Sequence, residues 1–266
     1  MHWQAHLGVL RSLVIYWRPG RQRGLRRLYR PFVPPGALVF DVGAHLGDRT
    51  RAFAALGARV IALEPQPHLF RWLQRLVGSQ PGVTLRPEAV GCAPGRATLA
   101  ISRRTPTVSS LSSEWPNALG RRNPAFDRVS WEESVQVPVI TLDQLIAEYG
   151  LPGFCKIDVE GFEAEVLAGL SQPLPALSLE FVAGALDVAT ASVRQLDALG
   201  PYRFNAIAGE RRRFLFADWL EAGRLLAWLE GGAGGFASGD IYARLEGRGL
   251  AVGGWAPGAP GTAAGT

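Results

Sequence analysis

An α/β fold, with a doubly wound and mostly parallel sheet in a single domain, is what this sequence predicts. Three observations carry that expectation. Short apolar runs, ALVFD at 37–41, RVIALE at 59–64 and FCKIDV at 154–159, alternate with stretches of helical length. These runs are apolar in nearly every position, the pattern of strands covered on both faces. The chain has 266 residues, 47% apolar and 19% charged, which supplies one large core and excludes a mostly disordered or fibrous protein.

Residues 1–30 form an N-terminal amphipathic basic segment. Trp3, Leu7, Leu10, Val14 and Trp17 share helical spacing, and Arg18, Arg21, Arg23, Arg26 and Arg27 follow. The segment reads as a helix capping the domain, with contact to a membrane surface as the alternative. Arg11 interrupts its apolar run, no small-residue cleavage site follows, and no stretch approaches 18 apolar residues. Neither a secretory signal nor a membrane-spanning helix is therefore expected.

A Pro/Gly break at Pro31–Gly36 opens the main domain, 31–246, with Ala37–Asp41 as its first strand. A helix over Asp48–Leu56 ends at Gly57, and a strand over Arg59–Glu64 leads to a helix over His68–Val77. Val83–Val90 reads as a third strand, and Ala97–Ser102, set off by Pro94-Gly95, as a hairpin addition. Composition shifts to Ser, Thr, Pro, Asn and Arg over 103–134, a long variable loop of a kind usually tied to function. In it Trp115 and Trp131 either stack on an acceptor or anchor the loop. Order returns with the strand Val135–Val139 and a helix Leu142–Tyr149 that Thr141 can cap. The strand Phe154–Val159, helix Phe162–Leu170, strand Ala176–Phe181, helix Val188–Leu199 and strands Tyr202–Ile207 and Ile241–Leu245 complete the domain. Residues 247–266, rich in Gly, Ala and Pro, read as a disordered tail.

The formal charge is +5, yet Lys156 is the only lysine, an arginine bias that reads as compositional. Nucleic acid would need a clustered basic face and is not an expected partner. Cys92 and Cys155 show neither metal-ligand nor disulfide spacing, which points to a reducing compartment, the cytoplasm.

Ligands of open α/β sheets bind beyond the carboxyl ends of the strands. At that edge the sequence places Asp41-Val42-Gly43-Ala44-His45-Leu46-Gly47, then Glu64-Pro65, then Lys156-Ile157-Asp158-Val159-Glu160-Gly161. Gly43 and Gly47 allow a tight turn and a close backbone approach. Glu64, at the end of the next strand, suits a carboxylate accepting from the two hydroxyls of a ribose. The turn lacks the third glycine of a dinucleotide fingerprint and adds Asp41, whose charge suits the amino and sulfonium groups of S-adenosylmethionine better than a pyrophosphate.

With these blocks, and with Ala89-Val90-Gly91 and Thr141-Leu142-Asp143, the sequence resembles the FkbM family of methyltransferases over about residues 30 to 182. The KIDVEGFE block at 156–163 is the most specific element. The resemblance implies a class I, Rossmann-like methyltransferase fold, S-adenosylmethionine as cofactor, and O-methylation of a hydroxyl on a sugar, glycolipid or natural product. Carried over, it places Asp41, Gly43, Ala44, His45 and Gly47 at the methionine end, Glu64 and Pro65 at the ribose, and Glu88 and Val90 by the adenine. It also likens Thr107–Leu111 to a segment near the family's active site, which implies a lid.

Strand alternation points Lys156 and Asp158 to one side of the sheet. Methyl transfer to a hydroxyl requires loss of its proton, so Asp158 is the preferred base, with Lys156 holding it ionised or polarising the acceptor oxygen. Glu160 completes the candidate catalytic set with Asp158 and Lys156 and is read as opening the next helix, where an acid also favours the dipole. The competing reading makes Lys156 and Asp158 a structural ion pair. His45 either reaches the methyl donor or faces solvent, Glu163 and Glu165 face solvent, and Glu180 either orients the acceptor or forms a strand-end ion pair. No metal is expected, because no spacing fixes a cation among Asp41, Asp158 and Glu180. The alternatives of another class are a nicotinamide-dependent oxidoreductase and a non-catalytic nucleotide-binding module.

Overall fold

The computed structural model describes residues 20–102 and 133–247, together with Leu13, Trp17 and Arg18. The expectations for the earlier N-terminal residues, for Thr107–Leu111, Trp115 and Trp131, and for the C-terminal tail lie outside the described residues. Helix α1 (Arg21–Tyr29) precedes β1 (Leu38–Val42), α2 (Asp48–Ala55), β2 (Arg59–Leu63), α3 (Pro67–Val77) and β3 (Val83–Arg86). Then come β4 (Ala89–Val90), β5 (Gly95–Ile101), β6 (Glu133–Ile140), α4 (Leu142–Tyr149), β7 (Phe154–Ile157), α5 (Glu163–Ala168) and β8 (Ala176–Val182). Helix α6 (Leu186–Leu199), β9 (Tyr202–Ala208), α7 (Ala222–Glu230) and β10 (Ser238–Leu245) complete the chain's described elements.

Seven strands form the main sheet in the order β3-β2-β1-β7-β8-β10-β9. The five from β3 to β8 are parallel, and β10 runs antiparallel between β8 and β9. The architecture is α/β with a mostly parallel central sheet, as expected. A second sheet, β4-β6-β5, pairs β5 antiparallel to β6, the hairpin addition.

Alternation along β1 splits the core into two layers. Phe40 and Val42 join Cys155, Ile157, Leu177 and Leu179 under α4, α5, α6 and α7, through Leu145, Val166, Val193 and Leu225. Val39 joins Phe154, Ala176 and Tyr242 under α1, α2 and α3, through Tyr29, Phe53 and Leu73. Helix α1 is basic outward but buries Leu25 and Tyr29, and its Arg21 Nε donates to Asp48 Oδ2 at 2.8 Å.

Four expectations need correction. The run Val83–Val90 is two strands in two sheets, because Pro87 has no N–H to continue the ladder. The strand expected over Phe154–Val159 ends at Ile157, and Glu160 (φ 54°) and Gly161 (φ 87°) turn left-handed before α5 begins at Glu163. Glu160 therefore does not start a helix, and the dipole argument for it falls away. Helix α7 and the antiparallel placement of β10 were not read from the sequence. Glu133 and Ser134, expected in the long loop, open β6.

Thr141 caps α4 as expected. Its Oγ1 accepts from Gln144 N, and Gln144 Oε1 accepts from Thr141 N, each at 3.1 Å. Both otherwise orphaned donors are thereby satisfied. Thr141→Ala should lower the unfolding free energy by about 1 kcal/mol in denaturant titration; an unchanged midpoint would show that the cap contributes nothing.

Candidate active site

The strand order reverses direction between β1 and β7, which is where the sheet opens a crevice at its carboxyl edge. A cleft of about 880 Å³, counting its open mouth, lies there. Gly43, Ala44, His45, Glu64, Pro65, Glu88, Val90, Lys156, Asp158 and Glu160, all expected at the site, line it. Asp41 and Gly47 do not reach its wall.

After β1 the chain turns through Gly43 (φ 80°), His45 (φ 51°) and Gly47 (φ 78°) into α2. Gly43 and Ala44 donate to the carbonyl of Leu63 at 3.0 and 2.9 Å, which ties the turn to the end of β2. A Cβ on Gly43 would collide with the carbonyl oxygen of Asp158. Gly47 serves packing instead, since a Cβ there would press on Leu73 of α3. Asp41 lies beneath the turn and is fully buried. Its Oδ2 accepts from Thr50 Oγ1 at 2.5 Å, while Oδ1 has no hydrogen-bond partner among the described residues. Burial raises its pKa against the pull of Lys156.

Glu64 closes β2 facing the turn. One carboxylate oxygen accepts from His45 N and the other from Gln66 N, both at 2.9 Å. Burial outweighs these bonds and pushes its pKa up to about 7. His45 is half-buried rather than solvent-exposed, and burial lowers its pKa to about 4, so the ring is neutral at ordinary pH. Glu88 sits at the break after β3 and forms an ion pair with Arg86 at 2.7 Å.

The opposite wall is built by the end of β7. Lys156 pairs in register with Asp41 across β1, and its Nζ donates to Asp158 Oδ2 at 2.6 Å. Only 1% of Lys156 is exposed. Burial alone would discharge this ammonium, but Asp158 and Asp41 outweigh it and raise its pKa. Burial would likewise raise Asp158, yet Lys156 and Arg49 hold it below the usual carboxylate range. Glu160 and Glu180 behave oppositely. Burial and neighbouring carboxylates push both well upward.

One oxygen each from Asp158, Glu160 and Glu180 lies within 4.8 Å of the other two. That spacing is compatible with a cation, and it is equally met by acids kept in their neutral form. The grouping replaces the Asp41, Asp158 and Glu180 set considered from sequence, and no ion pair of Glu180 is seen among the described residues.

Glu163 was expected to face solvent and is instead 2% exposed. Its carboxylate accepts from Val159 N at 3.0 Å and Gly161 N at 3.1 Å, which closes the turn carrying Glu160. Burial lifts its pKa to about 7. Glu165 is exposed, as expected. The sequence reading also passed over Asp48, Arg49, Gln66, Leu99 and Phe162, which line the cleft. Asp48 and Arg49 directly follow the glycine turn, and that adjacency was the available signal.

The family model described as the methyltransferase FkbM domain matches residues 41–200. A hexuronic acid methyltransferase, AglP, of Haloferax volcanii is 27% identical over 179 residues, covering 65% of this chain and 68% of that protein. Among solved structures, a TehB-like SAM-dependent methyltransferase from Corynebacterium glutamicum shares 12% identity with a TM-score of 0.47, over 91% of this chain and 96% of that one. An O-methyltransferase from Bacillus cereus in complex with SAH shares 12% identity with a TM-score of 0.45, over 91% and 89%. The chain belongs to the FkbM methyltransferase family and is a methyltransferase that uses S-adenosylmethionine. The nicotinamide alternative is thereby set aside. Among the described residues no helix is long and apolar enough to cross a membrane.

The turn makes a direct forecast. Gly43→Ala forces a Cβ into the Asp158 carbonyl at a positive φ, so it should cost at least about 2 kcal/mol of stability. Thermal unfolding checks this, and an unshifted transition would mean that the turn relaxes freely.

Proposed function

We propose that this FkbM-family enzyme transfers the methyl group of S-adenosylmethionine to a hydroxyl of a sugar, with a sugar acid as the favoured acceptor. The observation that carries the reading is the cleft itself. Its one wall presents Glu64 and the turn Gly43–His45, and its other wall presents the Lys156–Asp158 pair. The sugar acceptor is supported by the relative whose name is hexuronic acid methyltransferase.

The residues present fit the cofactor. The cleft sets Glu64 beside the Gly43–His45 turn, and beneath that turn Asp41 Oδ1 has no hydrogen-bond partner among the described residues. Glu64 would hold the two ribose hydroxyls, Ala44 and His45 would flank the methionine portion, and Glu88 and Val90 would flank the adenine. Asp41, beneath the turn, would act on the sulfonium end through its field. When bound, S-adenosylmethionine supplies an electrophilic methyl group on a sulfonium.

Asp158 stays ionised at neutral pH, so it is in the form that accepts a hydrogen bond and then the proton of the acceptor hydroxyl. Lys156 fixes that carboxylate by a charge-assisted bond and supplies positive charge to the oxygen as it develops. Glu160, turned into the cleft by its left-handed backbone, borders the same space. The walls of Leu69, Leu99 and Phe162 exclude water.

Two outcomes test this. Ribose hydroxyls donate to the carboxylate form of Glu64, whose pKa is about 7 before the cofactor binds. Affinity for S-adenosylhomocysteine should therefore rise with pH from 5.5 to about 7.5, by up to about tenfold per unit, and level off above. Glu64→Gln should flatten that profile and weaken binding by at least about tenfold at pH 8. A wild-type profile that is already flat would move ribose recognition elsewhere.

Asp158→Asn keeps size and removes basicity, so single-turnover rate per folded molecule should fall ~10²–10⁴-fold while cofactor affinity changes little. Lys156→Met should slow turnover as well. If both variants merely lose melting temperature, with rate tracking the folded fraction, the pair is structural.

A further inference from the structure

Arg49 is a half-buried guanidinium whose donors are mostly unspent among the described residues. Its side chain is 16% exposed and lines the cleft at the end that carries Lys156 and Asp158. Among the described residues its side chain makes one hydrogen bond, at the limit of length, from Nη1 to Asp48 Oδ1 at 3.5 Å. Its Nη2 lies 3.8 Å from Glu210, beyond hydrogen-bond reach, and Nε is buried with no hydrogen-bond partner among the described residues.

The shorter bonds to the Asp48 carboxylate go to other donors. Arg21 Nε binds Oδ2 at 2.8 Å, and the Arg49 backbone N–H binds Oδ1 at 2.9 Å. A guanidinium withdrawn from water is normally matched by a bidentate oxygen acceptor. Unspent buried donors therefore require an explanation.

The acids that face Arg49 hold it by long ion pairs, at 3.5 Å to Asp48 and 3.8 Å to Glu210, and by their field. They are Asp48 on α2, Asp158 after β7, Asp240 on β10 and Glu210 after β9, with Tyr29 of α1 below. Arg21 bridges Asp48 and Glu210 on the far side, at 2.8 and 3.0 Å. Asp48 and Glu210 thus take the guanidinium only at long range, and Arg49 is among the residues that line the cleft.

We propose that Arg49 is a carboxylate-binding residue of the methyl-transfer cleft, its planar fork engaging a carboxylate presented there by a bound small molecule. Two bound species can present that group: the methionine portion of the cofactor, or an acceptor that is a sugar acid. The second source rests on the acceptor reading given above, and the first does not. Glu160 and Glu180, held toward their neutral forms by burial and by each other, leave room for one more negative charge at this end. An arginine is suited to the task because its fork matches a carboxylate with two parallel bonds, which a lysine cannot offer.

Calorimetric titration of the whole protein separates the sources. The probes are S-adenosylhomocysteine, its decarboxylated analogue, and, with S-adenosylhomocysteine present, the methyl glycosides of glucuronic acid and of glucose. The variants are Arg49→Gln and Arg49→Lys; the lysine keeps the counter-charge for Asp48, Asp158 and Asp240 and so preserves any purely structural role. If the cofactor is the source, both variants weaken S-adenosylhomocysteine by about tenfold or more and leave the decarboxylated analogue unchanged. If the acceptor is the source, S-adenosylhomocysteine binds normally and the variants lose a wild-type preference of at least about tenfold for the glucuronide over the glucoside. Variants that fold and change neither discrimination overturn the proposal, as does an Arg49→Lys variant that retains full discrimination. Equal loss for all four probes with a lowered melting temperature also overturns it, since that is a structural counter-ion. Should wild type bind neither glycoside, the sugar reading fails on its own, and the cofactor arm still decides Arg49.

Discussion

The buried ammonium of Lys156 is the constraint on which the rest of this site depends. The pairing of β7 with β1 sets it beside Asp41, and strand alternation sets it beside Asp158. Without that cation, two carboxylates would face each other in the low-dielectric edge of the sheet. With it, Asp158 stays charged, and its backbone stays close enough to Gly43 that only a glycine fits. The N–H of Asp158 also donates to the carbonyl of Val42 at 3.0 Å, so the same residue locks the ends of both strands. Removing one member of such a buried pair typically costs about 3–5 kcal/mol, because the other charge is left stranded.

The surrounding acids fall into two groups with opposite consequences. Asp48, Asp158 and the exposed Glu210 lie beside arginine or lysine and have lowered pKa values. Their ion pairs contribute stability that is present above the ordinary carboxylate range and is lost as pH falls through their lowered values. Glu64 and Glu163 rise to about 7 and Asp240 to about 6, all because burial disfavours the charge. The folded state holds their protons more tightly than the unfolded chain does. Stability from this group is therefore full in acid and declines as pH climbs from about 4.5 to 7. A ligand whose hydroxyls or positive charge stabilise the ionised forms offsets that loss, which couples binding to folding at this edge.

Much of the architecture was legible in the sequence because buried parallel strands are short apolar runs, and β1, β2, β7 and β8 are such runs. Thr141 announced the start of α4, and Gln144, three residues on, completes its capping box. The antiparallel strand β10 was visible as a strand, but its place between β8 and β9 was not, since an inserted strand has the same apolar pattern as an edge neighbour. Helix α7 was passed over although Leu225 and Leu229 have helical spacing. In the site, the glycine turn, Glu64 and the Lys156–Asp158 pair were readable as acids and glycines at strand ends. Asp41 was placed on the cleft and lies beneath it, because strand alternation turns it toward Thr50 of α2. Glu163 looked like a solvent-facing helix acid. Its burial comes from a turn geometry, Glu160 and Gly161 both left-handed, that residue types alone do not reveal. The approach of Glu180 to Asp158 and Glu160 depends on β8 lying next to β7, which only the topology supplies.

The central claim is that cofactor and acceptor meet in the cleft at the reversal between β1 and β7. Hydrogen–deuterium exchange of the whole protein, with and without S-adenosylhomocysteine, tests it most directly. Slowed exchange in peptides covering 43–49, 64–66 and 88–90 is the result this account predicts. Protection confined to other segments, with these three unchanged at saturating ligand, would contradict it.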